Sequence, residues 1–260
     1  MIIDDGSSDN TKELVQSWID ERAMSIKYIY QENQGMHSAH NTAYKHIETE
    51  LNVCIDSDDY LSDNAVEKII HKWQTEAHAG VAGIVGLDAF KDGSIVGTKF
   101  PENLKESTLT EIYSKHHVKG DKKVVLSTEI VQKFPHYPVF KNERLVPLGT
   151  LYLLIDQQYK LLCSNDVYCI VEYLADGSSN NILQQYRKSP RGFAYNRNVK
   201  IRYQSGIKEK LKNAAHLVSS AIFTSDLKML AKSANLPLTI LAIPAGIMLN
   251  MYIRSKTKKV

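Results

Sequence analysis

The chain has 260 residues, 43% of them hydrophobic and 23% charged, with a net charge of +3. That is enough apolar material for a substantial core, and it excludes a disordered, collagenous or disulfide-scaffold chain. Three cysteines, Cys54, Cys163 and Cys169, are too few and too irregularly spaced for a disulfide framework or a zinc site, and they read as reduced core thiols.

Met1 leads into acidic residues rather than a basic and then apolar stretch, so the opening is not a signal peptide and the compartment reads as cytoplasmic. Ile2–Ile3 ends a strand that runs straight into Asp4 and Asp5. Asp9 or Asn10 can cap a helix over Thr11–Arg22, with Leu14, Val15, Trp18 and Ile19 on one face. Ser25–Gln31 is a short strand, and Met36–Ile47 is helical after the turn at Gly35. Leu51–Ile55 is a buried strand, followed by a helix over Asn64–Glu76 with Val66, Ile69, Ile70 and Trp73 inward, and by another buried strand at Gly80–Gly86. This alternation predicts an α/β fold with a mostly parallel central sheet.

The middle is less regular. Phe90–Phe100 predicts a hairpin turning at Asp92-Gly93. A helix is expected over Leu109–His116, then a loop-rich stretch around Pro135, Pro138 and Pro147. Helix, strand and strand follow through Thr150–Cys163 and Val167–Leu174.

From about Asn180 the pattern is helical and basic. Residues 1–185 carry 17 Lys+Arg against 27 Asp+Glu, whereas residues 186–260 carry 15 against only Glu209 and Asp226. A basic tail on an acidic body calls for an anionic partner. The tail contains an apolar stretch, Leu236–Ile253, of 18 residues, interrupted by Pro237, Pro244, Gly246 and Asn250 and followed by Arg254, Lys256, Lys258 and Lys259. That length is the short limit for a spanning helix, so the segment 236–260 is expected to lie on an anionic membrane surface. The alternative is a final helix pair packed on the body. Nucleic acid is disfavoured, because the basic region is joined to an apolar stretch rather than interleaved with stacking aromatics.

The chemistry sits in the carboxylates. Asp56-Ser57-Asp58-Asp59 places three carboxylates in four positions directly after a buried strand. They repel one another unless a cation or solvent compensates. Ligands of open α/β sheets bind beyond the carboxyl ends of strands, and a hard divalent ion shared with phosphate oxygens suits such a loop. A turn with a helix cap is the plain alternative. Asp4-Asp5 forms a second acidic pair at a second strand end, suited to accepting from a ribose hydroxyl or a base N–H. His37 and His40, three apart on a helix, read as polar packing.

In order and spacing, "IIDDGSSDNT", "ENQGMHSAHNTAY" and "CIDSDDYL" resemble the family 2 glycosyltransferases of GT-A fold. The resemblance is strong over about residues 1–90. It points to the bacterial branch that builds capsule, exopolysaccharide or wall polymers, and "FKNERLVP", "IVEYLADGSSNN" and "YRKSPRGFA" are similar to later segments of that branch. It implies a glycosyltransferase domain over 1–185, with a nucleotide-sugar half to about residue 90 and an acceptor half over about 91–185, and a basic helical tail over 186–260.

It also implies roles. Asp5, with Asp4, contacts the nucleoside of a nucleotide-sugar, most naturally a UDP-sugar. Asn33, Gly35 and Asn41 border the base and ribose. Asp56 and Asp58, with Asp59 beside them, hold Mn2+ or Mg2+ against the diphosphate, and Ser57 lies on the donor. The reaction inverts the anomeric centre, and the acceptor is a lipid-linked or polysaccharide hydroxyl at the inner membrane face. The branch places a strand and helix ahead of the segment that opens this chain, so the domain is expected to be N-terminally truncated. It places Glu where Leu148 stands, so the base falls to Glu143 first and Asp156 second. The alternative is an impaired or inactive relative that keeps a partial nucleotide-sugar pocket.

Overall fold

The computed structural model describes residues 1–172 and 181–257. In chain order it runs β1 (Ile2–Asp4), α1 (Thr11–Glu21), β2 (Tyr28–Tyr30), α2 (Met36–His46), β3 (Leu51–Val53), β4 (Tyr60–Leu61), α3 (Ala65–Glu76) and β5 (Val81–Ala89). It continues through β6 (Glu106–Ser107), α4 (Leu109–Ser114), β7 (Lys122–Ser127), α5 (Thr128–Val131), α6 (Gly149–Ile155) and β8 (Lys160–Ile170). The last helices are α7 (Ile182–Lys188), α8 (Pro190–Tyr203), α9 (Ile207–Thr224), α10 (Lys228–Ala231), α11 (Leu236–Leu241) and α12 (Ile243–Lys256). Residues 173–180, which include Tyr173, Leu174 and most of "IVEYLADGSSNN", and the tail cations Lys258 and Lys259 lie outside the described residues.

The chain forms two compact units, each discontinuous in sequence. The first comprises Met1–Ile47, His136–Thr150 and the described part of 178–260; the second comprises Glu48–Pro135 and the described part of 151–177.

In the first unit β1 and β2 pair in parallel, Ile3 opposite Ile29. Helix α1 buries Val15, while Leu14 and Trp18, expected on the same inward face, are exposed. The C-terminal helices share a core of Ala194, Ile201, Ala214, Leu217 and Ala242. Small residues set their spacing: a Cβ on Gly246 of α12 would stand 2.4 Å from the Val218 Cβ of α9.

In the second unit a six-stranded sheet has the order β3-β7-β5-β8-β4, with β6 also paired to β8. The α/β class stands, but the expected mostly parallel pairing does not hold in this sheet: β5–β8 is parallel and its other pairs are antiparallel. The strand–helix rhythm ends after β5. Strand β7 then enters between β3 and β5 in the reverse sense. The two strands expected from Thr150 onward are one, β8. Its polar break at Ser164–Asp166 is a bulge, where the register jumps from Val85↔Cys163 to Leu87↔Val167. Helix α3 packs Ala65 and Ile69, with Trp73, on Val81, Ile84, Val125, Leu162 and Tyr168. Its inward stripe is therefore 65/69/73, which leaves the expected core residues Val66 and Ile70 exposed. The Asp92-Gly93 turn forms, with Gly93 at φ +83° and the Ser94 N–H donating to Asp92, but it is flanked by a single Ala89–Ile95 bridge rather than a ladder. Cys163 and Cys169 are buried as expected, whereas Cys54 is exposed.

Candidate functional site

Four of the five carboxylates outside the acidic loop that bear on function are held by donors of the protein itself. In the first unit, Asp4 closes β1 and is buried; it accepts from the Ser7 N–H at 2.7 Å and the Tyr28 hydroxyl at 2.5 Å. Burial pushes its pKa up, but the Tyr28 hydroxyl and the Ser7 donors outweigh that and hold it below the ordinary value. The phenol answers in the opposite sense, and Tyr28 is pushed up to about 12 by its bond to Asp4.

Asp5 sits one residue further and reaches the start of α2. Its Oδ1 accepts from the Gln31 side chain at 2.7 Å and the Gln34 N–H at 3.0 Å, and its Oδ2 accepts from the Gly35 N–H at 2.7 Å. This satisfies orphan donors at a helix N-terminus from a distant residue. Gly35 has φ +93°, and a Cβ there would stand 1.9 Å from the Arg144 carbonyl oxygen, so only glycine allows this close approach. Gly6, at φ +77°, lies close to Asn33, whose backbone nitrogen would be 2.7 Å from an added Cβ.

Asn41, expected beside the base, is committed elsewhere. Its amide donates to the Tyr137 carbonyl at 2.8 Å and accepts the Tyr137 N–H at 2.9 Å, tying α2 to the 136–150 segment. Among the residues carried by "ENQGMHSAHN", Glu32 and Asn33 present exposed polar side chains without a hydrogen bond among the described residues, and Asn33 is the amide of the two. His37 is fully buried with both ring nitrogens unpartnered among the described residues, and burial pushes its pKa down.

Glu143, expected as the base, is a helix cap. It is buried, and it accepts the N–H groups of Arg191 at 3.1 Å and Gly192 at 2.9 Å in the first turn of α8, with the Arg191 guanidinium at 3.4 Å. In the second unit Asp156 does the same for α4. It accepts the N–H groups of Leu109 at 2.9 Å and Thr110 at 2.8 Å and the Thr110 hydroxyl at 2.6 Å. Burial raises the Asp156 pKa, and these bonds offset part of the rise. A carboxylate with its lone pairs occupied by N–H donors is poorly placed to take a proton from an acceptor hydroxyl. Both residues expected as the base thus accept N–H groups at helix starts.

The acidic loop of the second unit is different. Strand β3 ends at Val53, and the loop turns through an Asp59 N–H bond to the Asp56 carbonyl at 3.0 Å. Asp56, Ser57 and Asp58 are exposed. Asp59 turns inward to Lys123 of β7, 3.9 Å away. Burial raises the Asp59 pKa and Lys123 counters it. Lys123 itself is held above its ordinary pKa, because Asp88, Asp56 and Asp59 outweigh its burial.

Sequence reasoning missed Lys123 and Asp88. Asp88, near the end of β5, is buried with its Oδ1 unpartnered among the described residues, and burial pushes its pKa up to about 6 while Lys123 pulls it down. The available signal was charge inside a strand pattern: "DKKVVLS" and "IVGLDAF" both carry charge next to core residues.

Among the described residues no three His, Cys, Asp or Glu side chains are grouped to hold a metal ion. The donor set that remains, Asp56 and Asp58, is a pair of unclaimed hard oxygen ligands. A pair fits Mg2+ or Mn2+ of the kind that keeps further positions for phosphate and water. Asp59, already facing Lys123, does not join it.

Comparison with known proteins places these segments. Over 109 residues, the chain is 31% identical to an uncharacterized glycosyltransferase of Nostoc sp. (strain PCC 7120), covering 40% of this chain and 34% of that one. It thus spans about a third of the length of that curated relative. Among solved structures it is similar to S. aureus TarS 1–349 in complex with UDP, with a TM-score of 0.51 and 15% identity over 98% of this chain and 80% of that one. For the UDP-GlcNAc complex of TarS 1–349 the TM-score is 0.53, with 15% identity and the same coverage. For TarS without the 1–349 limit it is 0.55, with 14% identity over 99% of this chain and 49% of that one. These likenesses establish the shared fold, the GT-A fold expected from the motifs. The family model for glycosyl transferase family 2 matches residues 1–133, half of the chain and all three of the motifs that carried the resemblance, and the chain belongs to that family.

Proposed function

We propose that this chain transfers a sugar from a nucleotide-diphospho-sugar, a UDP-sugar, to a hydroxyl of a lipid-linked or polysaccharide acceptor, with inversion at the anomeric carbon. The observation that carries it is the exposed pair Asp56 and Asp58, without an ion pair or side-chain hydrogen bond among the described residues, in the loop after the half-buried strand β3 of a family 2 chain. The complexes of TarS with UDP and with UDP-GlcNAc support the donor class. Asp56 and Asp58 would hold Mn2+ or Mg2+, which supplies charge neutralisation for the departing diphosphate. Ser57 lies beside them. Asn33 offers the free amide for the nucleoside, and Asp5 the remaining lone pair of its carboxylate. The acceptor hydroxyl attacks the anomeric carbon in line, its proton passes to a base, and the nucleoside diphosphate leaves.

Calorimetry with UDP and MnCl2 tests this reading. Binding that needs Mn2+ and is lost in Asp58→Ala supports it; no binding in the unaltered protein refutes it. Transfer to an acceptor with a product of inverted anomeric configuration, read by NMR, completes it.

A second reading keeps nucleotide-sugar binding and drops turnover. It is favoured by a specific finding: the two carboxylates expected as base, Glu143 and Asp156, both cap helices, and Leu148 stands at the branch's usual Glu. Mn2+-dependent UDP binding without transfer to any acceptor would select it.

The reading extends to location. No helix among the described residues is long and apolar enough to cross a membrane. Helices α11 and α12, with Ala242 between them, bury Leu238, Ala242 and Ile253 and expose Leu236, Ile240, Leu241, Ile247, Met248, Met251 and Tyr252, with Arg254 and Lys256 following. Exposed apolar residues on two successive helices, followed by cations, suit the interface of an anionic bilayer on the inner, cytoplasmic side. Co-flotation with phosphatidylglycerol vesicles, lost in Met248→Gln/Met251→Gln, is the expected result; equal flotation of both proteins refutes this placement.

A further inference from the structure

We infer that the first unit holds a binding cavity for the phosphate head of an anionic lipid, beside but separate from the apolar face of α11 and α12. The inference deepens the membrane reading above and rests on it for the source of the ligand.

The cavity has a volume of about 300 Å3 and is bounded by α8, α9 and α10. Part of its lining is apolar, with buried Leu217 from α9 and half-buried Met229 from α10 and Phe140 from the 136–150 segment. The lining is also cationic. Lys228 and Lys232 are four residues apart, about one helical turn, and Arg191 comes from the start of α8. Against these three cations the lining holds one acid, Asp226. Arg191 is partly engaged by Glu143 at 3.4 Å, whereas Lys228 and Lys232 form no ion pair among the described residues. Two lysines carried at such spacing repel each other, and an anion between them relieves that.

The wall that carries the lysines is built, not loose. The Asn198 amide of α8 donates to the Lys232 carbonyl at 3.1 Å and accepts the Ala234 N–H at 2.6 Å. The backbone that carries Lys232 is thus tied to Asn198 of α8, another residue of the lining. Lys and Arg recognise phosphate oxygens by charge-assisted hydrogen bonds. Apolar lining in the same cavity rewards a ligand with a hydrocarbon body attached to its headgroup. A free phosphate would leave Leu217, Met229 and Phe140 wet; a lipid phosphate uses both parts. Continuity favours the same source. Helix α10 passes through Ser233–Asn235 into α11, whose exposed Leu236, Ile240 and Leu241 belong to the proposed membrane face.

The test uses the full chain and lipids short enough to stay monomeric. Dihexanoyl phosphatidic acid, dihexanoyl phosphatidylcholine and inorganic phosphate are titrated by calorimetry into the unaltered protein and into Lys228→Gln/Lys232→Gln, whose exposed positions allow folding to be verified by circular dichroism. Phosphatidic acid is expected to bind at least tenfold more tightly than the other two, and at least tenfold more weakly to the double variant. Equal binding by both proteins overturns the inference. So does equal binding of phosphatidic acid and inorganic phosphate, which would leave an anion site without a lipid. Met248→Gln/Met251→Gln separates the two readings: it should lose vesicle flotation and keep the soluble lipid. Lysine-dependent binding of the soluble lipid by a protein that never floats would uphold the cavity and overturn the membrane placement alone.

Discussion

Glu143 separates a capping role from catalysis in a single experiment. It accepts two backbone N–H groups in the first turn of α8, at 3.1 and 2.9 Å, from a buried position. Hydrogen bonds to a charged acceptor contribute roughly 1.5–3 kcal/mol each, and a buried donor left unpaired costs about 1–3 kcal/mol. Glu143→Ala removes the acceptor from both donors, so about 3 kcal/mol of stability should go. Glu143→Gln keeps one acceptor oxygen and the shape but loses the negative charge at a helix N-terminus, so about 1–2 kcal/mol should go. Urea unfolding of the three proteins gives the order. Under conditions where all are folded, UDP–Mn2+ binding should match, and any transfer activity should fall less than about threefold. A base would behave oppositely, because removing general-base catalysis typically costs 10²–10⁴ in rate. Glu143→Gln with unchanged stability and turnover reduced a hundredfold would refute the capping argument.

Two further outcomes follow from the first unit. Gly35→Ala forces a side chain into a left-handed conformation and against the Arg144 carbonyl, 1.9 Å from the new Cβ; a loss of about 3 kcal/mol in urea unfolding is expected, and a loss under about 1 kcal/mol would contradict the close approach. His216 packs edge-on to Tyr186 at 5.0 Å, and its burial, with the charges of Arg197, Lys212 and Lys200, pushes its pKa from 6.5 to about 3. A folded-state pKa below the unfolded one means stability that is present above pH 6.5 and lost as the pH falls toward 3, at up to about 1.4 kcal/mol per pH unit. Between pH 7.5 and 5.5 the unaltered protein should therefore lose about 1.4 kcal/mol more than His216→Leu, and identical losses would show that the ring is not held neutral.

Local patterns carried the elements of the first 90 residues well, because there the periodicity and the turn residues agree. The failures have physical causes. Val66 and Ile70 are apolar on a helix whose buried stripe is set by Ala65, Ile69 and Trp73, and apolar content alone does not say which of two adjacent stripes faces the sheet. Strand β7 was not anticipated, since it opens with two lysines, yet Lys122 turns its ammonium to the carbonyls of Val96 and Lys119, and Lys123 faces Asp59. The sense of strand pairing depends on where a long connection returns, which no short window contains. For the site, the motifs located the acidic loop, but whether a carboxylate is free depends on residues distant in sequence. Asp156 is claimed by Leu109 and Thr110, and Glu143 by Arg191 and Gly192.

That dependence sharpens what an acidic motif signifies. Asp4, Asp5, Glu143 and Asp156 each face two or more donors supplied by the fold, and each holds a strand end or a helix start in place. In Asp56-Ser57-Asp58-Asp59 the fold supplies a cation to Asp59 and leaves Asp56 and Asp58 exposed. Three like charges in four positions carry a repulsion that one lysine only partly relieves. The uncompensated remainder, not the acidic run itself, is what calls for an external cation. On the proposed function Lys123 would stay compatible with metal binding: it faces the one carboxylate turned away from solvent and leaves the other two exposed. Lys123→Met should on this argument raise the repulsion within the loop. If the cation serves only Asp59, Mn2+-dependent UDP binding should persist with its dependence on Asp58 intact; if binding disappears with the lysine while the protein stays folded, the division of roles within the motif is wrong.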